Sequence, residues 1–355
     1  MKEHKLPIII ATIFTIIILI LILVFATKKQ IEIETIDLGL TESQIKNHCH
    51  IQYFSDDKKL DEYEMLDGYL FKDQEIVPIK DNFVFNGWYI DSNAERVNYS
   101  TELNCEKNND TIKLNAKWIT TNEWNNIKPS VSIPILMYHY FYDPNNPTGE
   151  MNSNVLSSAD FDAEMKYLSE NSFYYPSWLE INDFLDGKIT LPIKSVIVTD
   201  DDNTATWFNI GLPIVEKYKV MATQFTITGT EWWDGHSYDN LPASLSKYVI
   251  MRSHTNAMHG PNRGEFVGYM KGGDPNLIAN DLIESAKRLG GKKEVLCYPA
   301  GEYSDSTLDG LRMAGYNLGV TTKPGTVKFD SIKLELPRIR ISSGQDLTSF
   351  MGIFN

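Results

Sequence analysis

One stretch limits the fold more than any other. Ser195–Val220 opens with a β-branched run, Val196, Ile197 and Val198, that reads as a buried strand. It ends in Thr199 and three consecutive acids, Asp200, Asp201 and Asp202, and a helix-period segment from about Trp207 to Tyr218 follows. Carboxylates at the C-terminal end of a buried strand occupy the place where α/β folds put their chemistry. Three adjacent acids repel one another, so the segment calls for an offsetting charge, and a divalent cation supplies one. A solvated acidic turn is the alternative for this segment alone.

The same texture continues on both sides. Strands are predicted at Ser132–Phe141, Ala222–Thr228, Tyr248–Ser253, Glu294–Tyr298, Leu318–Thr321 and Arg338–Ile341. Helices are predicted at Ser158–Leu168, Leu179–Leu185, Leu277–Leu289 and Ser306–Ala314, the first with Phe161, Met165 and Leu168 on one face. Alternation over about 220 residues implies a parallel sheet flanked by helices, either open or closed into a barrel.

The N-terminal third differs. Leu6–Ala26 is uncharged and almost wholly apolar, and its 21 residues as a helix would span about 31 Å, the thickness of a bilayer core. A secretory signal has a shorter apolar core, so a retained single-pass signal-anchor over 1–29 is expected, with a cleaved signal as the alternative. Lysines on both flanks (Lys2, Lys5, Lys28 and Lys29) leave its orientation open. Residues 30–48 read as a polar tether, 49–119 as a small β-rich module, 120–130 as a linker, and 131–355 as the main domain. Trp88 and Trp118 of the module are read as core residues. Cys49, Cys105 and Cys297 show neither a disulfide framework nor metal-finger spacing, and a Cys49–Cys105 pair stays open. The net charge of −14 argues against a nucleic-acid partner.

Three further stretches carry candidate chemistry. Ser253–His259 holds His254 and His259 five apart, off a common helix face, so they converge only in a loop. Imidazoles beside carboxylates are a common ligand set for zinc-like metals. Cys297–Tyr303 runs a strand into a Pro/Gly turn able to aim a backbone N–H, as an oxyanion site requires. Met137–Tyr140 places His139 at a strand end. There it is either a proton donor or a core histidine.

Two resemblances follow from these motifs. Phe85–Asp91 (F-N-G-W-Y-I-D), closed by Leu114–Trp118 (L-N-A-K-W), resembles the Listeria–Bacteroides repeat, which implies a spacer or interaction module on a surface protein. In the main domain the ordered motifs Y-H, V-T-x-D-D, S-H-T-x-x-x-H, Y-P-x-G and L-P-R resemble the NodB-homology polysaccharide deacetylases (carbohydrate esterase family four), closest to the poly-N-acetylglucosamine deacetylase branch. That resemblance covers about Ile133 to Phe350. It implies a distorted (β/α) barrel, one divalent metal (zinc, with cobalt or nickel as alternatives), and hydrolysis of N-acetyl groups on a cell-surface polymer containing N-acetylglucosamine, either peptidoglycan or poly-N-acetylglucosamine. By position it implies Asp201 as general base, His139 as general acid, and Asp202, His254 and His259 as metal ligands. It also places the Ala300 N–H in the oxyanion site and Tyr298 and Pro299 at the substrate. Asp200 and Asn203 depart from the family pattern, the first either raising the pKa of Asp201 by repulsion or facing the opposite side of the strand without effect. Cys297 stands where relatives carry an arginine, and Arg338 or Arg340 is expected to replace it. Trp232, Trp233 and Tyr238, in a loop after the strand Ala222–Thr228, are expected either to stack on sugar rings or to anchor the loop by burial. A catalytic domain outside the cell fits this reading. A non-catalytic glycan-binding protein and an O-acetyl esterase are the competing readings.

Overall fold

A computed structural model of the chain describes residues 48–66, 70–71, 77–90, 96–103, 111–147, 152–229, 246–259 and 268–354. The apolar run 6–26, the tether up to residue 47, Cys105, Trp232, Trp233 and Tyr238 lie outside the described residues.

The first elements are β1 (His48–Ser55), β2 (Lys58–Leu66), β3 (Phe83–Ile90) and β4 (Thr111–Thr120). They form one sheet in the order β2-β1-β4-β3, two antiparallel hairpins joined by a parallel β1–β4 contact. Alternation along β1 and β4 buries Ile51, Tyr53, Ile112 and Leu114, and Trp88 closes the face at 3% exposure. The segment expected to be a linker is instead a helix, α1 (Thr121–Ile127). Its start is a capping box: the Thr120 side chain accepts the Glu123 N–H, and the Glu123 carboxylate accepts the Thr120 N–H. Trp124 of α1 is buried against Phe184 and Phe329.

The main unit continues with β5 (Ile135–Tyr138), β6 (Tyr140–Tyr142), β7 (Val155–Ser157), α2 (Ser158–Glu170), α3 (Trp178–Leu185) and β8 (Ile197–Asp200). A π-helical turn over Trp207–Gly211 leads into α4 (Leu212–Tyr218). Next come β9 (Ala222–Thr226), β10 (Val249–Ser253), α5 (Pro275–Arg288), β11 (Val295–Cys297) and α6 (Asp305–Ala314). The last elements are β12 (Leu318–Pro324), β13 (Leu336–Arg340) and α7 (Leu347–Met351). Seven strands close into an all-parallel barrel in the order β10-β11-β12-β13-β5-β8-β9. The barrel, not the open sheet, is therefore the outcome of the strand–helix alternation. The long strand expected at Ser132–Phe141 breaks after Tyr138, freeing His139 from the ladder.

The small sheet is not a detached spacer. Its core is continuous with the inside of the barrel, running from Ile51, Phe85 and Trp88 through Trp124 and Ile133 to Ile197, Phe225 and Val320. Phe85 exchanges backbone hydrogen bonds with the segment entering β8, accepting from the Thr190 N–H at 2.9 Å and donating to the Lys188 carbonyl at 3.3 Å. Arg96 crosses the seam, donating to the Thr190 carbonyl at 2.9 Å and to Glu180 at 3.2 Å. These contacts fall where chain enters β5 and β8, so the module caps the N-terminal end of the barrel, away from the acidic strand ends. Arg96→Ala would remove the ion partner of the partly buried Glu180, leaving it the Tyr174 hydroxyl and the Ser177 N–H, and breaking such a pair costs about 3 kcal/mol. A matching drop in denaturant-unfolding stability is expected, and an unchanged midpoint would refute the coupling.

Candidate active site

The C-terminal strand ends of β5, β8, β10, β11 and β13 bring most of the predicted residues together. After β8 the chain turns sharply, with Asp202 and Asn203 at φ 76° and 36°. This aims Asp202 across the barrel end. The Asn203 side-chain oxygen accepts the Ile227 N–H at 3.0 Å, pinning the turn to the end of β9. An asparagine tolerates this conformation better than most residues, which explains the departure from glycine.

Asp202 Oδ1 lies 3.2 Å from His254 Nε2 and 3.1 Å from His259 Nε2, and all three groups offer ligand atoms within 4.8 Å of one another. Tetrahedral ligands about 2.0 Å from a zinc ion sit about 3.3 Å apart, so the trio fits such an ion. His254 Nδ1 donates to the Cys297 carbonyl at 2.8 Å, which fixes the tautomer and leaves the Nε2 lone pair facing Asp202. Burial alone would raise the Asp202 carboxyl, but its hydrogen bonds to the two imidazoles hold it well below the usual carboxylate range. His254 also lies near Asp201 and Cys297. That set is a poorer metal site, because burial pushes the Cys297 thiol up, keeping it protonated, and Asp201 is already engaged.

Asp201 belongs to Arg338. The guanidinium makes a two-pronged contact, Nη1 to Oδ1 at 2.8 Å and Nη2 to Oδ2 at 2.7 Å. Burial would raise the Asp201 carboxyl, but the adjacent positive charge outweighs it and holds the pKa at about 2. Of the two arginines considered, Arg338 takes the role. Cys297 lies 3.4 Å from Asp201 and 3.2 Å from Arg338, lining the pair. Asp200 does not raise Asp201. It alternates to the outer face beside Gln224, where burial and then the charges of Asp201 and Asp202 push its own carboxyl well above the normal range.

His139 stands at the edge of the same cluster, with Nε2 3.8 Å from Asp201 Oδ2. Burial lowers its pKa, against the pull of Asp201. Ala300 is exposed at φ 54°, and its N–H has no hydrogen-bond partner among the described residues. The next residue must be glycine, since a Cβ at Gly301 would meet Thr322 Oγ1 at 2.1 Å. Tyr298 departs from expectation. Its ring is fully buried and its hydroxyl donates to the Leu334 carbonyl at 2.8 Å, so its side chain is core and not a substrate contact. Strand alternation accounts for this, turning Tyr298 outward towards α5 and α6. Pro299 is buried and shapes the turn.

Sequence reasoning missed Asp281 of α5. Its two carboxylate oxygens accept the backbone N–H groups of Asn256 and Ala257, each at 2.8 Å. These are inner residues of the His254–His259 loop, so Asp281 folds that spacing into a turn. Only the mid-helix acid facing the histidine loop marks it, and that signal is invisible in a linear sequence. Glu164 of α2 was also missed. It is buried behind β5, accepts the Tyr138 hydroxyl at 2.8 Å, and burial pushes its carboxyl up to about 8.

Comparison with known proteins agrees with this geometry. Residues 188–319 match the polysaccharide deacetylase family. A Bacillus subtilis protein named for that family, YxkH, is 25% identical over 246 residues, covering 67% of this chain and 82% of its own length. The poly-beta-1,6-N-acetyl-D-glucosamine N-deacetylase of Staphylococcus aureus is 27% identical over 216 residues, covering 57% and 72%. Among solved structures, the Streptococcus pyogenes deacetylase PplD in complex with acetate superposes with a TM-score of 0.53 at 24% identity, covering 63% of this chain and 99% of that one. Over residues 188–319 the chain is similar in sequence to the polysaccharide deacetylases, and its closed parallel barrel has the NodB fold.

Two outcomes follow from the supporting residues. Asp281→Ala leaves two loop N–H groups unpaired and is expected to cost about 1–3 kcal/mol in unfolding free energy, with hydrogen exchange accelerated at 255–258. Wild-type exchange in that variant would rule out the clamp. Glu164 has a raised folded-state pKa, so the wild type should lose stability as pH rises from about 4.5 to about 8, where only the unfolded chain sheds the proton. Glu164→Gln should remove that slope and be the more stable protein above pH 8. An unchanged slope in thermal melts would reject the assignment.

Proposed function

We propose that this protein is a metal-dependent N-deacetylase that removes acetyl groups from a cell-surface polysaccharide containing N-acetylglucosamine. The observation that carries the reading is one juxtaposition: a carboxylate held ionised by a buried arginine beside an Asp-His-His set, with a histidine at the edge of the cluster. Asp202, His254 and His259 would hold the metal, zinc being the best match, with cobalt or nickel as alternatives. When bound, the ion supplies Lewis acidity, which acidifies water and offsets developing negative charge.

The chain's own residues carry the proton traffic. Amide hydrolysis adds water to the acetyl carbon, breaks the C–N bond and releases acetate and a sugar amine. Asp201 is ionised at any pH above about 2, so it is always available to accept a hydrogen bond from the attacking water and orient it. With so low a pKa it keeps a proton only briefly. His139, neutral through burial and 3.8 Å away, can take that proton on and return it to the departing nitrogen. The Ala300 N–H would donate to the carbonyl oxygen as charge builds there. Arg338 prevents Asp201 from rotating away.

The relatives support the substrate class, since one of them acts on poly-beta-1,6-N-acetyl-D-glucosamine by name. The apolar stretch Leu6–Ala26 supports anchorage in the cell membrane with the barrel outside, where such polymers lie. The test is acetate release by the purified full-length chain from N-acetylglucosamine oligomers. Chelation should abolish release and added zinc should restore it. Asp201→Asn should cut the rate about a thousandfold while one equivalent of zinc stays bound. Full activity in that variant would sink the assigned role.

A further inference from the structure

His139 sits in a gap between two ladders. β5 ends at Tyr138, which pairs in register with Asp200 of β8, and β6 begins at Tyr140, which pairs with Val155 of β7. Residue 139 belongs to neither strand. Its imidazole stands 3.8 Å from Asp201, outside hydrogen-bond range, so the separation depends on how the backbone is held.

Two threonines hold it. Thr204 and Thr206 lie just past the turn at Asp202 and Asn203, Thr204 at 1% exposure and Thr206 half-buried. The Phe141 N–H donates to Thr206 Oγ1 at 3.0 Å, and Thr204 Oγ1 donates to the His139 carbonyl at 3.3 Å. The two hydroxyls are 2.9 Å apart, and the Trp207 N–H donates to Thr204 Oγ1 at 3.1 Å. A hydroxyl has one proton and two lone pairs. Thr204 commits its proton to His139, so the proton between the threonines comes from Thr206. The relay runs one way, from the Phe141 N–H to Thr206, on to Thr204, and on to the His139 carbonyl. It ties two successive peptide groups after His139 to the segment that follows Asp201 and Asp202. Packing secures the same stretch. The Phe141 ring lies 6.1 Å from that of Trp207, the first residue of the π-helical turn, and a Cβ at Gly211 would meet these two rings at 3.1 Å and 2.4 Å. Single π-turns are frequent at functional sites.

We propose that Thr204 and Thr206 are positioning residues for His139, a hydroxyl relay that sets where its imidazole stands relative to Asp201 and to the nitrogen leaving the acetyl group. This deepens the deacetylase reading and rests on it. Cleavage of the C–N bond leaves an amine that must gain a proton, which His139 delivers. An aryl ester breaks its C–O bond to release a stable nitrophenolate that needs none. The threonines therefore matter more for amides than for activated esters.

The experiment measures turnover of an N-acetylglucosamine tetramer and of para-nitrophenyl acetate by the full-length zinc-loaded protein, with amide hydrogen exchange over 139–142 read in parallel. Thr206→Val keeps the shape of the side chain and removes the acceptor of the Phe141 N–H. It should lower kcat for the tetramer about tenfold at unchanged KM, and the ratio of amide to ester turnover by about the same factor. Exchange at Phe141 should quicken. Thr206→Ser should recover most of the ratio, and Thr206→Ala repeats the loss should valine fail to fold. In a His139→Ala background, Thr206→Val should change the ratio no further. Equal loss for both probes, an additive loss in the His139→Ala background, a serine variant no better than valine, or wild-type exchange at Phe141 would overturn the proposal. Faster exchange in Thr206→Val, beside a wild type that releases no acetate from the tetramer, would uphold the relay and sink the deacetylase reading.

Discussion

A guanidinium at 1% exposure cannot stay inside a barrel without an anion and a full set of acceptors, and Arg338 has both. Its five N–H donors meet five acceptor atoms on four residues. Nε reaches the Thr321 carbonyl on β12, Nη1 reaches Thr199 and Asp201 on the β8 side, and Nη2 reaches Asp201 and the Cys297 sulfur at the end of β11. One side chain from β13 thus links three other strands at the level of the site. A buried ion pair rarely adds net stability over a well-packed apolar core. What this one adds is definition: it fixes the rotamer and charge of Asp201. It also lets a small thiol stand at position 297, since the positive charge arrives from β13 and not from β11.

That definition requires a rigid support, and the N-terminal module provides part of it. A parallel barrel has two ends, and loops at one of them must keep water from the apolar strand starts. Here a four-stranded sheet and a short capped helix do this, with Trp88 and Trp124 buried at the seam and Arg96 crossing it. The chemistry lies at the far end. The module is joined to the site through the packing of Ile197, Val320 and Leu336 inside the barrel.

Much of this was legible in the sequence because local pattern and chemistry coincided. The β-branched run before Asp201, the histidines at 254 and 259, the turn at Pro299–Gly301 and the Leu336-Pro337-Arg338 triplet each announce themselves over a few residues. Most barrel strands and helices were placed within about two residues for the same reason. The unread features depend on distance. Asp281 is an ordinary helix acid until α5 packs beside the loop 25 residues before it. Tyr298 looked like a pocket aromatic because its motif resembles one, but the strand's two-residue alternation decides where its ring goes. Thr120–Ser130 read as a linker on its polarity, although Thr120 and Glu123 already spell a capping box.

Backbone strain locates the site independently of any motif. Nine described residues other than glycine have positive φ. Aspartate and asparagine turns or single loop residues account for Asp56, Asp57, Asn82, Ser172 and Lys219. The other four, Asp202, Asn203, Thr255 and Ala300, lie just beyond the ends of β8, β10 and β11. Thr255 is the most telling, because a β-branched residue pays the highest steric cost in the left-handed region. It is fully buried, and it is held by its N–H donating to Ser253 Oγ at 3.1 Å and its carbonyl accepting from Thr228 at 3.1 Å. Strain of this kind persists only where surrounding contacts over-determine it. Here it turns the chain at the ends of β8, β10 and β11, and a carboxylate and two imidazoles carried by the first two turns come together. Relaxing any one of these turns would restore a comfortable backbone and aim its functional group elsewhere.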